Sequence, residues 1–263
     1  MKTISISTLN AMKENEEKFA VLTAYDYTFS RLIESSSIEV SLVGDSLGNV
    51  IQGCDSTIPV TVDEMAYHTA AVKRGNKRSL LVSDMPFMSY STEVNALDNA
   101  AVIMQAGAQM VKLEGGEWLA DTVHLLTERG IPVCGHVGLT PQSVHKLGGY
   151  KVQGKDDHAA DQMIKEALIL EEAGADLMVV ECVPSSLGDD LSAALNIPVI
   201  GIGAGPGTDG QVLVLQDMLG ISQRLPKFSK DFLKESNSIQ DAITAFGNEV
   251  RSGTFPAPEH SFK

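Results

Sequence analysis

Cysteine and aromatic residues are scarce in this 263-residue sequence. The three cysteines are an odd number and form no Cys-x-x-Cys pair, which argues against a disulfide framework and a cysteine-rich zinc site. Aromatic residues are only 5% of the chain whereas apolar residues are 43%, so a sizeable, mainly aliphatic core is expected. Cys134 and Cys182 lie in apolar runs and are expected to pack as small hydrophobic residues.

Positive charge and long apolar runs are also lacking. Lys and Arg number 20 against 34 Asp and Glu, which gives a formal net charge of −14. This excess repels nucleic-acid phosphates and anionic lipid, so binding to either partner is disfavoured. No apolar stretch is long enough to span a bilayer, and residues 1–20 contain no apolar run typical of a secretion signal. A soluble cytoplasmic protein is therefore expected.

Eight short apolar runs, rich in branched residues, recur along the chain and end in small or acidic residues. The predicted strands lie within residues 19–26, 39–46, 79–86, 109–116, 131–138, 175–182, 197–205 and 211–217. The clearest helical patterns between them cover residues 96–108 and 161–175. Both end in Ala-Gly-Ala, which predicts helix C-terminal caps at Gly107 and Gly174.

Apolar strands that alternate with helices indicate a parallel sheet covered on both sides. Eight such units in about 200 residues, without a linker, predict an α/β protein with a closed (β/α)8 TIM barrel. We interpret residues 1–263 as a single barrel domain with an N-terminal helix and a C-terminal helical extension. An open doubly wound sheet is the alternative.

Polar side chains stand at the C-terminal ends of several predicted strands, which meet at one mouth of such a barrel. They are Asp45, Asp84, Lys112, Glu114, His136 and Glu181. Asp45, Asp84 and Glu114 have the oxygen chemistry that a hard divalent cation such as Mg²⁺ requires. The alternative is that each acid caps the helix that follows it.

The remaining residues at this mouth have two interpretations each. Lys112 is a fixed positive charge beside Glu114, although a Schiff-base role or a purely structural ion pair stays open. Glu181 follows an apolar run that raises the pKa of a buried carboxyl, which suits a general base, whereas a solvated strand-end acid is the alternative. His136 either contacts a substrate or makes a structural hydrogen bond.

Two glycine-containing segments follow the fifth and seventh predicted strands. Residues 139–157 form a long connection of the kind that covers binding sites. Residues 201–210 resemble a phosphate-binding loop, but Thr208 stands where a dinucleotide fingerprint requires glycine. We therefore favour the interpretation that these glycines allow close approach of the backbone to a neighbouring helix or a ligand.

Several of these segments together resemble one enzyme family over nearly the whole chain. The resemblance is carried by VGDSLGNVIQGCDSTIPVTVDEMAYHTAAVKRG, SDMPFMSY, VKLEGGEW, CGHVGLTPQSVHKLGGYKVQG, ECVP and PVIGIGAGPGTDGQVLV. They resemble the 3-methyl-2-oxobutanoate hydroxymethyltransferase family, also called ketopantoate hydroxymethyltransferases, of pantothenate biosynthesis. The motifs occur in the family's order, and no departure occurs at the candidate site residues.

The resemblance implies a barrel of the phosphoenolpyruvate/pyruvate-binding type that assembles into a decamer. It implies transfer of a hydroxymethyl group from 5,10-methylenetetrahydrofolate to 3-methyl-2-oxobutanoate, which gives 2-dehydropantoate. It further implies one Mg²⁺ per subunit on Asp45, Asp84 and Glu114, with Glu181 as the base. The implied contacts to the oxo acid come from Ser46, Asp84 and Lys112, and we predict Asp45 and His136 as further substrate-binding residues from their place at the mouth.

Two other functions stay open at this point. One is a carbon–carbon lyase of the same barrel type, against which the absence of lysines before Cys134-Gly135-His136 counts. The other is a catalytically silent oligomeric binding protein on the same scaffold. The intact acids at the predicted mouth argue against the second function, because a silent copy is free to lose them.

Overall fold

Eight parallel strands close into a barrel in the computed structural model, which describes residues 3–263. Each strand pairs with the next along the chain, and β8 pairs with β1. The strands are β1 Phe19–Thr23, β2 Val40–Val43, β3 Leu80–Asp84, β4 Met110–Glu114, β5 Val133–Gly138, β6 Leu177–Glu181, β7 Val199–Ile202 and β8 Gly210–Leu213. The predicted closed barrel is confirmed, and the open sheet is excluded.

Helices lie between most of the strands and cover the barrel. They are α1 Ile6–Glu14, α2 Tyr27–Ser35, α3 Leu47–Val50, α4 Val62–Gly75, α5 Glu93–Gln105, α6 Ala120–Glu128, α7 Val144–Leu147, α8 Asp157–Glu172, α9 Ser185–Ala194, α10 Leu215–Met218 and α11 Ile239–Arg251. None of the helices described combines the length and apolar character that a bilayer span requires.

Local sequence explains where the main helices begin and end. The N-cap side chains that accept a backbone hydrogen bond belong to Ser5, Asp26, Thr61, Thr92, Asp156 and Ser238. Gly107 and Gly174 follow the last residues of α5 and α8 at φ values of +118° and +108°, which glycine adopts without strain. The predicted helix ends are therefore confirmed to within one residue.

Alternate strand residues point into the barrel or towards the helices, as the strand period of two requires. Phe19, Val40, Leu177 and their inward neighbours form an apolar cluster inside the barrel, and Leu9 of α1 packs against it. Helix α1 thus covers the end where the strands begin. Farther along the strands, polar residues replace the apolar ones on the same inward face, and they point towards the opposite mouth.

The connection between β7 and β8 departs from the repeating strand–helix pattern. Residues 203–209 join these strands through turns, without a helix. A Cβ atom on Gly201 would lie 2.5 Å from the Thr208 hydroxyl, and one on Gly207 would overlap the Asp189 carboxylate. The glycines therefore allow close packing of this loop against its neighbours, which agrees with the favoured interpretation of residues 201–210.

Candidate active site

Strand register brings the predicted site residues side by side at the mouth. Asp84 of β3 lies opposite Lys112 of β4, and Glu114 of β4 lies opposite His136 of β5. Glu181 ends β6, the next strand around the barrel. All five side chains share the inward face of their strands. Four neighbouring strands, β3 to β6, thus carry one connected polar cluster at their C-terminal ends.

Lys112 is the cation at the centre of this cluster and is only 4% exposed. Its Nζ atom lies 3.2 Å from Asp84 Oδ1, 3.6 Å from Glu114 Oε1 and 3.2 Å from His136 Nδ1. Burial by itself lowers the pKa of Lys112, but the charges of Asp84 and Glu114 outweigh it and raise the pKa. Lys112 is therefore a fixed positive charge, which disfavours a Schiff-base role.

His136 connects the acids on the two sides of β5. Its Nδ1 atom lies 3.3 Å from Glu114 Oε1, and its Nε2 atom lies 3.4 Å from Glu181 Oε2. Burial and Lys112 lower the pKa of His136, but the contacts with Glu114 and Glu181 outweigh them and raise it. Glu181 is more exposed than Glu114, with 13% of its side chain accessible against 2%. The His136 imidazole thus lies between the partly exposed carboxylate of Glu181 and the buried carboxylate of Glu114.

Asp45 and Asp84 form an adjacent pair of buried carboxylates. The Asp45 backbone N–H donates to Asp84 Oδ2 at 3.0 Å. Burial raises the pKa of Asp45 well above its usual range, and the charges of Asp84 and Glu114 add to this effect. The pKa of Asp84 is also raised, because burial outweighs the opposing charge of Lys112. Neither carboxylate caps a helix: the N-cap of α3 is Ser46, and that of α5 is Thr92.

A divalent cation at this mouth would have to bind the same acidic residues. Within residues 3–263, no three His, Cys, Asp or Glu side chains are gathered closely enough to hold a metal ion by themselves. Glu114 is instead engaged by Lys112, by His136 and by the backbone N–H of Gln142. Asp84 Oδ1, however, is buried without a hydrogen bond, although Lys112 is near. Mg²⁺ takes few protein carboxylates and keeps water and substrate positions, so the Asp45–Asp84 pair fits it.

Three residues of this site were not identified from the sequence. Gln142 donates its side-chain amide to Asp45, and Tyr90 is hydrogen-bonded both to Gln142 and to the backbone of Glu114. The Tyr25 hydroxyl lies 2.9 Å from Ser46 Oγ. The only sequence signal was position, because Tyr90 and Gln142 follow predicted strands at the same mouth and Tyr25 lies at the end of the first one. Ser46 itself lies next to Asp45, with its hydroxyl bonded to Tyr25 rather than to the acids.

The long connection after β5 reaches the mouth with an aromatic residue. Tyr150 is 58% exposed, and its pKa is raised by burial of its inner part and by the negative charge of Glu181. Trp118, in the loop after β4, stacks on Tyr90 at 6.1 Å between ring centroids. Cys134 and Cys182 are both buried, and burial raises the pKa of each thiol, to about 12 for Cys134. They are packing residues, as predicted.

Comparison with known proteins agrees with the resemblance found in the motifs. The family described as "Ketopantoate hydroxymethyltransferase" matches residues 3–258. A 3-methyl-2-oxobutanoate hydroxymethyltransferase from Marinomonas sp. (strain MWYL1) is 58% identical over 100% of this chain and 96% of its own length. Among solved structures, 2,3-dimethylmalate lyase, a PEP mutase/isocitrate lyase superfamily member, matches with a TM-score of 0.60 and 14% identity, covering 81% of each chain. Phosphonopyruvate hydrolase in complex with oxalate and Mg²⁺ matches with a TM-score of 0.62 and 12% identity, covering 98% of this chain and 93% of its own.

Proposed function

This chain belongs to the ketopantoate hydroxymethyltransferase family, a family of transferase enzymes, and from that premise we propose its reaction. The protein transfers a hydroxymethyl group from 5,10-methylenetetrahydrofolate to 3-methyl-2-oxobutanoate and releases 2-dehydropantoate. The observation that carries this proposal is the buried charge cluster at the mouth, in which one lysine and one histidine stand among four acids.

The 2-oxo acid brings one more negative charge into this acidic mouth. Lys112 offsets the substrate carboxylate, because its raised pKa keeps it charged throughout the neutral range. Asp45, Ser46 and Asp84 contact the oxo acid from the ends of β2 and β3, and His136 borders it from β5. Without Lys112, His136 and the bound cation would be left to offset both the substrate anion and the four acids.

Asp45 and Asp84 would hold one Mg²⁺ per subunit, and Glu114, the third ligand predicted from the sequence, would stand beside them as a further negative charge. The buried, unbonded Asp84 Oδ1 and the raised pKa values of both aspartates support this assignment, since each feature is relieved by a cation. When bound, Mg²⁺ polarises the ketone oxygen of the substrate and favours negative charge on it.

Glu181 is the general base that removes the C3 proton of 3-methyl-2-oxobutanoate. Its carboxylate is the most accessible of the acids that contact His136 or Lys112, and His136 orients it through the 3.4 Å contact. The resulting carbanion equivalent forms the new carbon–carbon bond to the methylene group of the folate donor. Both carbon–nitrogen bonds of the donor's methylene bridge break, one as the carbon–carbon bond forms and the other as water adds its oxygen. The two nitrogens of the departing tetrahydrofolate take up the C3 proton, returned by Glu181, and one proton of the water.

The assembly and location of the enzyme are part of the same proposal. We expect a cytoplasmic homo-oligomer, a decamer by similarity to the family. Light scattering on the purified protein would give a mass near ten times 28.1 kDa. A stable monomer would contradict the decamer without affecting the proposed chemistry.

Hydrogen exchange in heavy water tests substrate, metal and base together. Proton NMR should show loss of the C3 proton signal of 3-methyl-2-oxobutanoate with enzyme and Mg²⁺, even without folate. Exhaustive chelation should stop the exchange, and Mg²⁺ should restore it. Exchange that survives chelation would refute the metal assignment. No exchange with Mg²⁺ present would refute proton removal at this site.

A further inference from the structure

Gln142 is a buried amide in the loop after β5, on the 3₁₀ turn Pro141–Ser143. Its Nε2 atom donates to Asp45 Oδ2 at 2.8 Å and to the Met85 carbonyl oxygen at 3.0 Å. Its backbone N–H donates to Glu114 Oε2 at 3.0 Å. One residue from the fifth loop thus connects groups that follow or end β2, β3 and β4.

Tyr90 determines which way the Gln142 amide points. The Tyr90 hydroxyl donates to Gln142 Oε1 and accepts from the backbone N–H of Glu114. An amide turned by 180° would place Oε1 against the Met85 carbonyl oxygen, which has no proton to donate, and would remove the donor from Asp45 Oδ2. The observed orientation is therefore the only one that satisfies these groups.

The amide holds the acids without neutralising them. Gln142 is uncharged, so it does not replace a cation as a lysine or arginine at this position would. It uses one oxygen of Asp45, and within residues 3–263 the other oxygen, Oδ1, accepts no hydrogen bond from the protein. Asp45 is thus fixed in orientation but retains an oxygen that a ligand can use.

We propose that Gln142, oriented by Tyr90, is a positioning residue that sets the placement of Asp45 and Glu114 for Mg²⁺ binding. This inference rests on the metal-dependent function proposed above. Hydrogen-bond partners of metal-ligating groups fix their orientation, and replacing them lowers metal affinity by about 10- to 100-fold. Gln142 satisfies this description for Asp45, and its backbone N–H also fixes Glu114, whose charge lies beside the metal ligands.

The test is Mn²⁺ binding, followed as free Mn²⁺ by electron paramagnetic resonance with 3-methyl-2-oxobutanoate present. Gln142→Met keeps the length of the side chain and removes the donor, and its dissociation constant should rise about 10- to 100-fold. Gln153→Met is the matched control in the same loop, because within residues 3–263 the Gln153 side chain bonds only the Lys151 carbonyl. The control should bind Mn²⁺ as the wild type does.

Tyr90→Phe is the second variant, and it keeps the ring that stacks on Trp118 while removing the hydroxyl. It should weaken Mn²⁺ binding in the same direction but by less, and Tyr67→Phe, at an exposed tyrosine, should not. If Gln142→Met does not fold, Tyr90→Phe decides alone. Thermal denaturation without metal separates a general loss of stability from the loss of affinity.

Each outcome has one meaning. An unchanged dissociation constant in Gln142→Met, or in Tyr90→Phe if only that variant folds, overturns the inference while the proposed function stands. Absence of saturable Mn²⁺ binding in the wild type overturns the metal-dependent function and the inference with it. Weakened binding in Gln142→Met, with binding in Gln153→Met intact, supports the positioning role. Asp84→Asn serves as the reference for loss of the site itself.

Discussion

Replacing Lys112 by methionine removes the central cation of the buried cluster and keeps most of the side-chain volume. Asp84 and Glu114 lose a partner at 3.2 Å and 3.6 Å. At an effective dielectric constant of about 20, each of these contacts is worth about 5 kcal/mol of Coulomb energy before desolvation is subtracted. Breaking a buried ion pair from one side costs about 3–5 kcal/mol in measured cases.

Protonation of Asp84 or Glu114 in the variant sets an upper limit to the loss of unfolding free energy. The variant can neutralise one carboxylate instead of leaving it charged, at about 1.4 kcal/mol for each pH unit above the usual pKa of about 4. That limit is about 5 kcal/mol at pH 7.5 and about 2 kcal/mol at pH 5.5. In the wild type the pKa of Glu114 is lowered, because Lys112 and His136 outweigh the effect of burial. The wild-type stabilisation from Glu114 is therefore present at both pH 7.5 and pH 5.5 and is lost only below the unfolded pKa of about 4, so the difference between the two pH values comes from protonation of the variant.

The assay is urea denaturation of both proteins at one fixed concentration, at pH 7.5 and pH 5.5. The free energy of unfolding of Lys112→Met should be about 3–5 kcal/mol lower than that of the wild type at pH 7.5, and the difference should be clearly smaller at pH 5.5. Lys165→Met is the control: its ion pair with Glu117 is exposed, and the change should stay below about 1 kcal/mol. An equal loss at both pH values would show that packing, not charge, explains the effect and would refute the reasoning.

Three further predictions concern other parts of the molecule. Glu181→Gln should slow C3 hydrogen exchange of the substrate, seen by NMR, at least 100-fold while Mn²⁺ binding persists, and unchanged exchange would remove Glu181 from the base role. Gly188→Ala should destabilise the fold by about 1–3 kcal/mol in urea, since its Cβ would overlap the Ala204 carbonyl; a gain, as helix propensity alone predicts, would contradict this packing. The pKa of Asp217 is raised because burial outweighs the Ser222 hydrogen bond, so wild-type stability is lost as pH rises above about 4. The stability advantage of Asp217→Asn should therefore grow from pH 4 to pH 7, and a constant difference would exclude ionisation as the cause.

The order of the barrel strands could be predicted from the sequence because the signal is local. The run at residues 175–182 contains four consecutive apolar residues followed by Glu181, and the structure places β6 within it. The ends of α5 and α8 could also be predicted from the sequence, because Gly107 and Gly174 adopt the positive φ values that glycine favours after a helix. The missing helix between β7 and β8 was not predicted, because a glycine-rich loop can either cap a helix or replace it.

The candidate site was predicted in part for a related reason. Strand parity places Lys112 and Glu114 on one face, so their contact follows from spacing alone. The contact of His136 with both Glu114 and Glu181 depends on the register of three strands, and no local pattern specifies that register. Gln142 was missed because its loop must fold back over the mouth before the amide reaches Asp45.

By itself, the sequence determined the chemistry that could collect at one end of a parallel barrel, because residue type and strand period are local properties. The tertiary structure decided which of those groups touch, which of them are buried, and therefore which carboxylates hold their protons more tightly. Burial and charge–charge distance set these pKa values, and both quantities exist only when segments far apart in the chain have come together.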